Sequence, residues 1–191
     1  MASTAAVREP QRAGTHPRAA VSIASQNARA STDHGARTLD LLVAALEHRE
    51  IRAAATAVVN RVAASFGARR VSLGMLNGKA VELLAVSGSA AFDASTGLST
   101  AVRDAMHEGI VQRATLAAPN DPATASREDA AQHALLRQCG AGAVCTVPFA
   151  DGDAVSGAVT FEWSDPNAFD AAMRERCEAT LALVGPVLVA I

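Results

Sequence analysis

The chain reads GAGAVCTVPFADGDAVSGAVTFEW from Gly140 to Trp163. Two runs rich in β-branched residues flank a short polar break with an Asp-Gly pair, which is the pattern of a β-hairpin. Side chains in the second run alternate between two faces. One face is apolar and consists of Val155, Gly157, Val159 and Phe161. The other is small and partly polar and consists of Ser156, Ala158, Thr160 and Glu162. We expect the apolar face to lie on a helical layer, the other face to be solvated or to form a pocket floor, and Pro148 to end the regular pairing of the first run.

A second hairpin is predicted earlier in the chain. Apolar and small residues alternate from Arg70 to Leu76, and a returning strand follows from Ala80 to Val86. The intervening Asn77-Gly78 pair is typical of a type I′ turn. A short edge strand is predicted at Thr115–Pro119, because proline is tolerated at the edge of a sheet.

Apolar residues at three-and-four spacing predict five helices. Their expected bounds are Arg37–His48, Ile51–Phe66, Ser99–Gln112, Arg127–Gln138 and Phe169–Ile191. The apolar stripe of the first helix consists of Leu39, Leu42, Val43 and Leu46. This order of elements predicts an α+β sandwich: a central antiparallel sheet with a helical layer on one face and short lid helices on the other.

Composition excludes several classes of protein. The 191 residues carry a formal net charge of −2 and are 3% aromatic, which argues against nucleic-acid binding. Three cysteines without a CxxC pair fit a reducing compartment, and we expect the cytoplasm. No secretory leader is visible, and the apolar stretch Ala179–Ile191 is too short to span a bilayer.

The domain organisation follows from the same survey. Residues 1–36 lack a sustained period and predict a disordered tail, whereas residues 37–191 predict one folded domain. The chain ends abruptly in an apolar helix, so we expect it to be part of a longer protein.

Both hairpins resemble those of a GAF domain. The segment VPFADGDAVSGAVTFE is similar to the closing hairpin of that family, and RRVSLGMLNGKAVELLAVSG is similar to the opening one. The resemblance covers Thr38 to Ile191 and implies a PAS-like fold. A looser similarity, carried by RVSLGMLNG, AMHEGIVQ and GAGAVCTVPFADG, connects the chain to GAF domains ahead of a membrane anchor and a periplasmic adaptor of secretion and efflux systems. It implies fusion to a membrane-associated region after Ile191.

No motif indicates catalysis, a metal site or a cofactor. GAF proteins that reduce free methionine sulfoxide use loop cysteines within motifs that this chain lacks, and Cys145 is expected in the core. A bilin would need a cysteine on the pocket helix, and the cyclic-nucleotide motif Asn-Lys-x-Asp-Glu is absent. His107 and His133 are isolated and indicate no haem site. We therefore expect a protein without catalysis or a cofactor.

The resemblance implies a small-molecule pocket between sheet and lid. Carried onto this chain, its lining consists of Ser72, Gly74, Arg103, His107, Thr146, Ser156 and Thr160. Arg103 could meet an anion. The resemblance also implies a homodimer through the first and last helices, whose interface would consist of Leu39, Leu42, Leu46, Leu181, Val184 and Leu188. Three hypotheses remain open: a sensory module with a ligand, a dimerisation module with an empty pocket, and a thiol-based redox enzyme of the methionine sulfoxide reductase type.

Overall fold

The computed structural model describes residues 35–89, 97–119 and 129–191. Its helices are α1 (35–46), α2 (Ile51–Phe66), α3 (Gly97–Gln112), α4 (Ala130–Cys139) and α5 (Ala171–Ala190). Its strands are β1 (Arg70–Asn77), β2 (Ala80–Val86), β3 (Leu116–Ala118), β4 (Ala143–Asp151) and β5 (Ala154–Trp163). Residues Arg37–Ile191 form one compact unit. The predicted tail lies almost entirely outside the described residues.

The strands form one five-stranded antiparallel sheet in the order β2-β1-β5-β4-β3. Both predicted hairpins are present, and the short strand β3 lies at an edge as expected. In the first hairpin Asn77 pairs with Ala80, so the loop is Gly78–Lys79, one residue later than the sequence predicted. Gly78 has a φ of 63° and Lys79 has no positive φ, which is the pattern of a type II′ turn rather than type I′.

Helices cover both faces of the sheet. The helical layer consists of α1, α2 and α5, and its core includes Val59, Leu73, Phe161 and Leu181. The lid consists of α3 and α4, and its smaller core includes Leu83, Met106, Leu135 and Ala158. The predicted α+β fold is therefore confirmed. Gly67 and Gly140 end α2 and α4 in the left-handed conformation, and the Asp170 carboxylate accepts the Met173 N–H (2.7 Å) at the start of α5.

Two expectations for the closing hairpin are wrong. Val155 packs on the lid side, because a register shift after Phe149 adds a residue to β5 and reverses the alternation before Gly157. Pro148 does not end the pairing of β4, which continues to Asp151. β3 reaches only as far as Thr146, so Pro148 has a neighbouring strand on one side alone and removes no bond on the other.

The inner face of α1 also differs from the prediction. Leu41, Ala44 and Ala45 are buried, whereas Leu39, Val43 and Leu46 are 62%, 46% and 67% exposed. The small alanines let α1 approach its neighbours closely, so the larger side chains point outward. In α5, by contrast, the expected inner positions are buried, and these include Leu181, Val184 and Leu188. Those three residues belong to the domain's own core and cannot form a dimer surface, which corrects that part of the predicted interface.

Candidate functional site

Three hydroxyl side chains form a row across the lid-side face of the sheet. Ser72 on β1 pairs with Thr160 on β5, and Thr160 pairs with Thr146 on β4. All three are buried. The row follows directly from the two-residue period of the strands, which places these positions on one face once the register is set.

Thr146 and Thr160 belong to a closed hydrogen-bond network beneath α4. The Thr146 hydroxyl donates to the Gln132 side-chain oxygen (3.0 Å), and the Gln132 amide donates to the Ala105 carbonyl of α3 (2.9 Å). The Thr160 hydroxyl therefore donates to Thr146 (2.9 Å). Every member has a partner and is buried, so the network fastens the lid to the sheet.

The lid helices are joined to each other as well. The Glu108 carboxylate of α3 accepts the backbone N–H groups of Ala131 (3.0 Å) and Gln132 (3.2 Å) in the first turn of α4. These donors have no partner within their own helix. A carboxylate at a helix N-terminus also interacts favourably with the helix dipole. The lid is thus one body made of two helices.

A cavity of about 270 Å³ lies beside the third member of the hydroxyl row. Its wall is formed by β1, the end of β2 with the residues that follow it, and the first turns of α3. The lining residues are Arg70, Ser72, Leu83, Val86, Ser87, Gly88, Ser89, Leu98, Ser99 and Val102. We call this the sheet–lid cavity. Among these described residues the apolar and the hydroxyl-bearing side chains are equal in number, and one side chain, that of Arg70, is charged.

The rim of the sheet–lid cavity after β2 is held in place by several bonds. The Ser87 hydroxyl accepts the Val71 N–H (2.9 Å), and the Ser87 N–H donates to the Val71 carbonyl (2.8 Å). The Gly88 N–H donates to the Asn60 side chain of α2 (2.8 Å), at a φ of 71° that favours glycine. A ligand would therefore meet a preformed rim on this side.

Arg70 connects the sheet–lid cavity to a buried carboxylate. Glu162, on the neighbouring strand, is 1% exposed, and its oxygens lie 3.4 and 3.5 Å from one terminal nitrogen of Arg70. These distances are long for a charge-assisted hydrogen bond. One Glu162 oxygen has no hydrogen-bond partner in the described part of the chain. Burial raises the pKa of Glu162, although Arg70 and Arg69 act in the opposite direction.

The other predicted site residues lie elsewhere. Gly74 is on the sheet floor, where Val81 and Met106 already fill the space above it. Arg103 is half-buried on α3 and donates to the Thr100 hydroxyl (3.3 Å), outside the cavity wall. His107 is on the exposed face of α3. Ser156 bonds to the Ala154 carbonyl (3.2 Å) near the hairpin loop. Of the seven residues expected to line one pocket, Ser72 lies in the wall of the described cavity and the other six do not.

Sequence reasoning missed Arg70 and the first turn of α3. Alternation along β1 does place Arg70 on the same face as Ser72, so half of the signal was present. The other half depends on where α3 begins relative to the sheet, and it is a tertiary feature without a local signature.

The cysteines are separate thiols. Cys145 and Cys177 are buried, and Cys139 is half-buried at the end of α4. Burial raises the pKa of the Cys139 thiol, and it raises the pKa of Cys177 to about 12. A raised pKa is the opposite of what a nucleophilic cysteine needs. Within the described ranges there is no group of three side chains suited to hold a metal ion. None of the helices seen there has the length and apolar character needed to cross a membrane.

Comparisons with known proteins give one consistent result. Solved structures with the same fold include the GAF domain of an Acinetobacter phosphoenolpyruvate-protein phosphotransferase (13% identity, TM-score 0.57, covering 81% of this chain and 91% of that one). They also include free methionine-R-sulfoxide reductase from Neisseria meningitidis in complex with its substrate (11% identity, TM-score 0.59, covering 82% of this chain and 89% of that one). A methyl-accepting chemotaxis protein fragment is similar as well (11% identity, TM-score 0.60, covering 78% of this chain and 95% of that one).

These identities are low, so the structural matches demonstrate the fold alone. No curated protein sequence matches the chain. The family model for the GAF domain matches residues 50–188, which is most of the chain. The chain therefore belongs to the GAF domain family.

Proposed function

We propose that this GAF domain is a regulatory, sensory module that binds a small molecule in the sheet–lid cavity and has no catalysis of its own. The cavity itself is the observation that carries the proposal. It combines an apolar wall with a few convergent polar groups, which is typical of small-molecule sites. Its volume of about 270 Å³ suits a small metabolite. The similarity to a chemotaxis protein is in keeping with a sensory role.

Strand β1 offers a route from ligand to output. Ser72 lines the sheet–lid cavity, while its neighbours Val71 and Leu73 belong to the core of the helical layer. A ligand that binds better to one position of β1 relative to α3 would bias the packing of that layer. The shift would reach the terminal helices α1 and α5, which pack in the same core.

A thiol-based enzyme is the less supported alternative. Its case rests on the structural similarity to methionine sulfoxide reductases. The raised pKa of Cys139 argues against it, because the protonated thiol is a poor nucleophile. Three cysteines without a disulfide in the described residues are in keeping with a reducing compartment such as the cytoplasm.

Native mass spectrometry of the protein purified from cells tests the sensory role. We expect extra mass on the folded protein that leaves on unfolding. The variant Ser72→Leu, whose larger side chain fills the sheet–lid cavity, should lose this extra mass. It should remain folded, with a urea midpoint no lower than those of other variants of buried residues. A bound mass that persists in Ser72→Leu would place the ligand elsewhere. A folded protein that carries no extra mass, and that binds none of the probes described below, would refute the proposal.

A second candidate function is dimerisation, favoured by one observation on α1. Leu39, Val43 and Leu46 are exposed and follow one another at spacings of four and three residues, the spacing of a coiled-coil seam. A second copy of the same helix would cover this stripe symmetrically. On α5, Leu183 is exposed and could contribute, whereas the buried leucines and valine named above could not.

Light scattering of the purified chain distinguishes this candidate. We expect a dimer mass for the unaltered chain and a monomer mass for the double variant Leu39→Glu/Leu46→Glu. Both side chains are exposed, so these substitutions should change the stability of the domain little. Glu at Val111, an exposed apolar residue on α3, is the matched control and should leave the dimer intact. A monomer mass for the unaltered chain would remove the hypothesis.

A further inference from the structure

The wall of the sheet–lid cavity combines polar and apolar side chains. The polar ones belong to Arg70 and Ser72 of β1, Ser87 after β2, and Ser99 of α3. The apolar ones belong to Leu83, Val86, Leu98 and Val102. From this combination we infer that the ligand is a small organic carboxylate, whose charged group meets Arg70 and Ser72 and whose apolar body lies against α3 and β2. The inference rests on the proposed sensory function and adds the class of its ligand.

Arg70, the cation in the cavity wall, uses few of its N–H donors within the protein. Within the described residues, the side chain of Arg70 contacts Glu162 through one terminal nitrogen at 3.4–3.5 Å. A guanidinium group carries five N–H donors, and a carboxylate matches two of them at once.

Ser72 supplies an independent sign of a ligand. Its side chain is 1% exposed, yet it lines the sheet–lid cavity, and no hydrogen bond to its hydroxyl is seen in the described part of the chain. Buried hydroxyl groups normally have a partner. A carboxylate oxygen in the cavity would accept this O–H.

The wall of the cavity restricts the anion. Inorganic phosphate would leave the apolar side chains of the wall without a partner, and a polyphosphate would bring several negative charges to a single arginine. A carboxylate with a short apolar body satisfies both kinds of side chain.

Two acid–amide pairs of equal size test the inference: hexanoate with hexanamide, and benzoate with benzamide. Binding is followed by two-dimensional ¹⁵N–¹H NMR at the backbone signals of Ser72, Leu98 and Ser99. We expect at least one acid to shift these signals and to bind about ten-fold or more tightly than its amide, as is usual when a charge-assisted hydrogen bond is lost.

The variants separate Arg70 from general charge. Arg70→Gln should weaken binding of the acid about ten-fold or more, whereas Arg69→Gln, which removes the adjacent charge outside the cavity wall, should change it less than about two-fold. If Arg70→Gln does not fold because Glu162 loses its cation, the double variant Arg70→Gln/Glu162→Gln replaces it. Ser72→Ala should weaken the acid several-fold and leave the amide unchanged.

The outcomes distinguish this inference from the proposed function. An amide that binds as well as its acid, or an acid whose affinity is unchanged in Arg70→Gln, would overturn the carboxylate assignment while leaving a sensory cavity. No shift at these three signals with any of the four probes would count against the carboxylate and the sensory role together.

Discussion

Replacing Phe161 with Ala should destabilise the domain by about 3–5 kcal/mol, the usual cost of removing a buried Phe side chain. Phe161 is fully buried on β5, and its ring lies 5.6 Å from that of Phe66 and 5.5 Å from that of Trp163, measured between centroids. Trp163 in turn contacts Phe169 at 5.9 Å. These four residues form the aromatic cluster.

The magnitude belongs in the upper half of that range for two reasons. Each aromatic pair adds about 0.5–1.5 kcal/mol beyond the buried area, and Phe161 takes part in two pairs. The chain contains five Phe, one Trp and no Tyr, so the surrounding core is built mainly from Ala, Val and Leu. Such small side chains cannot extend into the space that the ring leaves. For a domain of this size, the loss corresponds to a melting temperature lower by about 8–20 °C.

Urea denaturation measures this cost directly. Trp163 is the chain's one tryptophan and lies in the aromatic cluster, so its fluorescence reports unfolding, with far-ultraviolet circular dichroism as a second probe. Val155→Ala is the matched control on the same strand, at a half-buried position, and should cost about 1 kcal/mol or less. A cost below about 1 kcal/mol for Phe161→Ala, with an unchanged denaturant slope, would refute the view that the aromatic cluster anchors the core.

Three further results are expected. Gly74→Ala should cost about 1–3 kcal/mol in urea, because the new methyl group would lie 2.8 Å from the Met106 sulfur; an unchanged midpoint would contradict the tight contact between β1 and α3. Glu162→Gln should become more stable relative to the unaltered protein as the pH rises above about 4.5, because a carboxyl group whose pKa is raised in the folded state destabilises the fold when it ionises. A stability difference that does not vary with pH would show that burial does not dominate the pKa of Glu162. In native alkylation followed by mass spectrometry, Cys139 should react slowly and Cys177, with a pKa of about 12, should not react until the protein unfolds; equal labelling of the two would contradict their burial.

The hairpins could be predicted because their information is local. Alternating residues and a glycine in each loop determine two adjacent strands, and the observed bounds of β1 and β5 differ from the predicted ones by a residue or two. Val155 shows the limit of prediction from local sequence. Its face depends on the extra residue opposite Phe149, and that shift arises from how β4 and β5 meet along their whole length.

Helix α1 illustrates a second limit. Periodicity correctly indicated a helix, but Leu39 and Leu46 lie on its exposed side, because Ala44 and Ala45 suit the close approach to the core. Arg103 and Arg70 give the same lesson for the site. Arg103 is on the lid helix α3 and Arg70 is on strand β1 of the sheet. Which of the two lines the cavity depends on where α3 begins over the sheet, a tertiary property.

The network of Gln132, Thr146, Thr160 and Ala105 has a consequence for sequence divergence. Changing any one side-chain member alone leaves a buried polar atom without its partner, which costs more than the bond contributes. Exchanging the three side chains together for apolar ones of similar volume avoids that cost. Among relatives as distant as those with 11–13% identity, these positions should therefore covary as a set, all polar or all apolar.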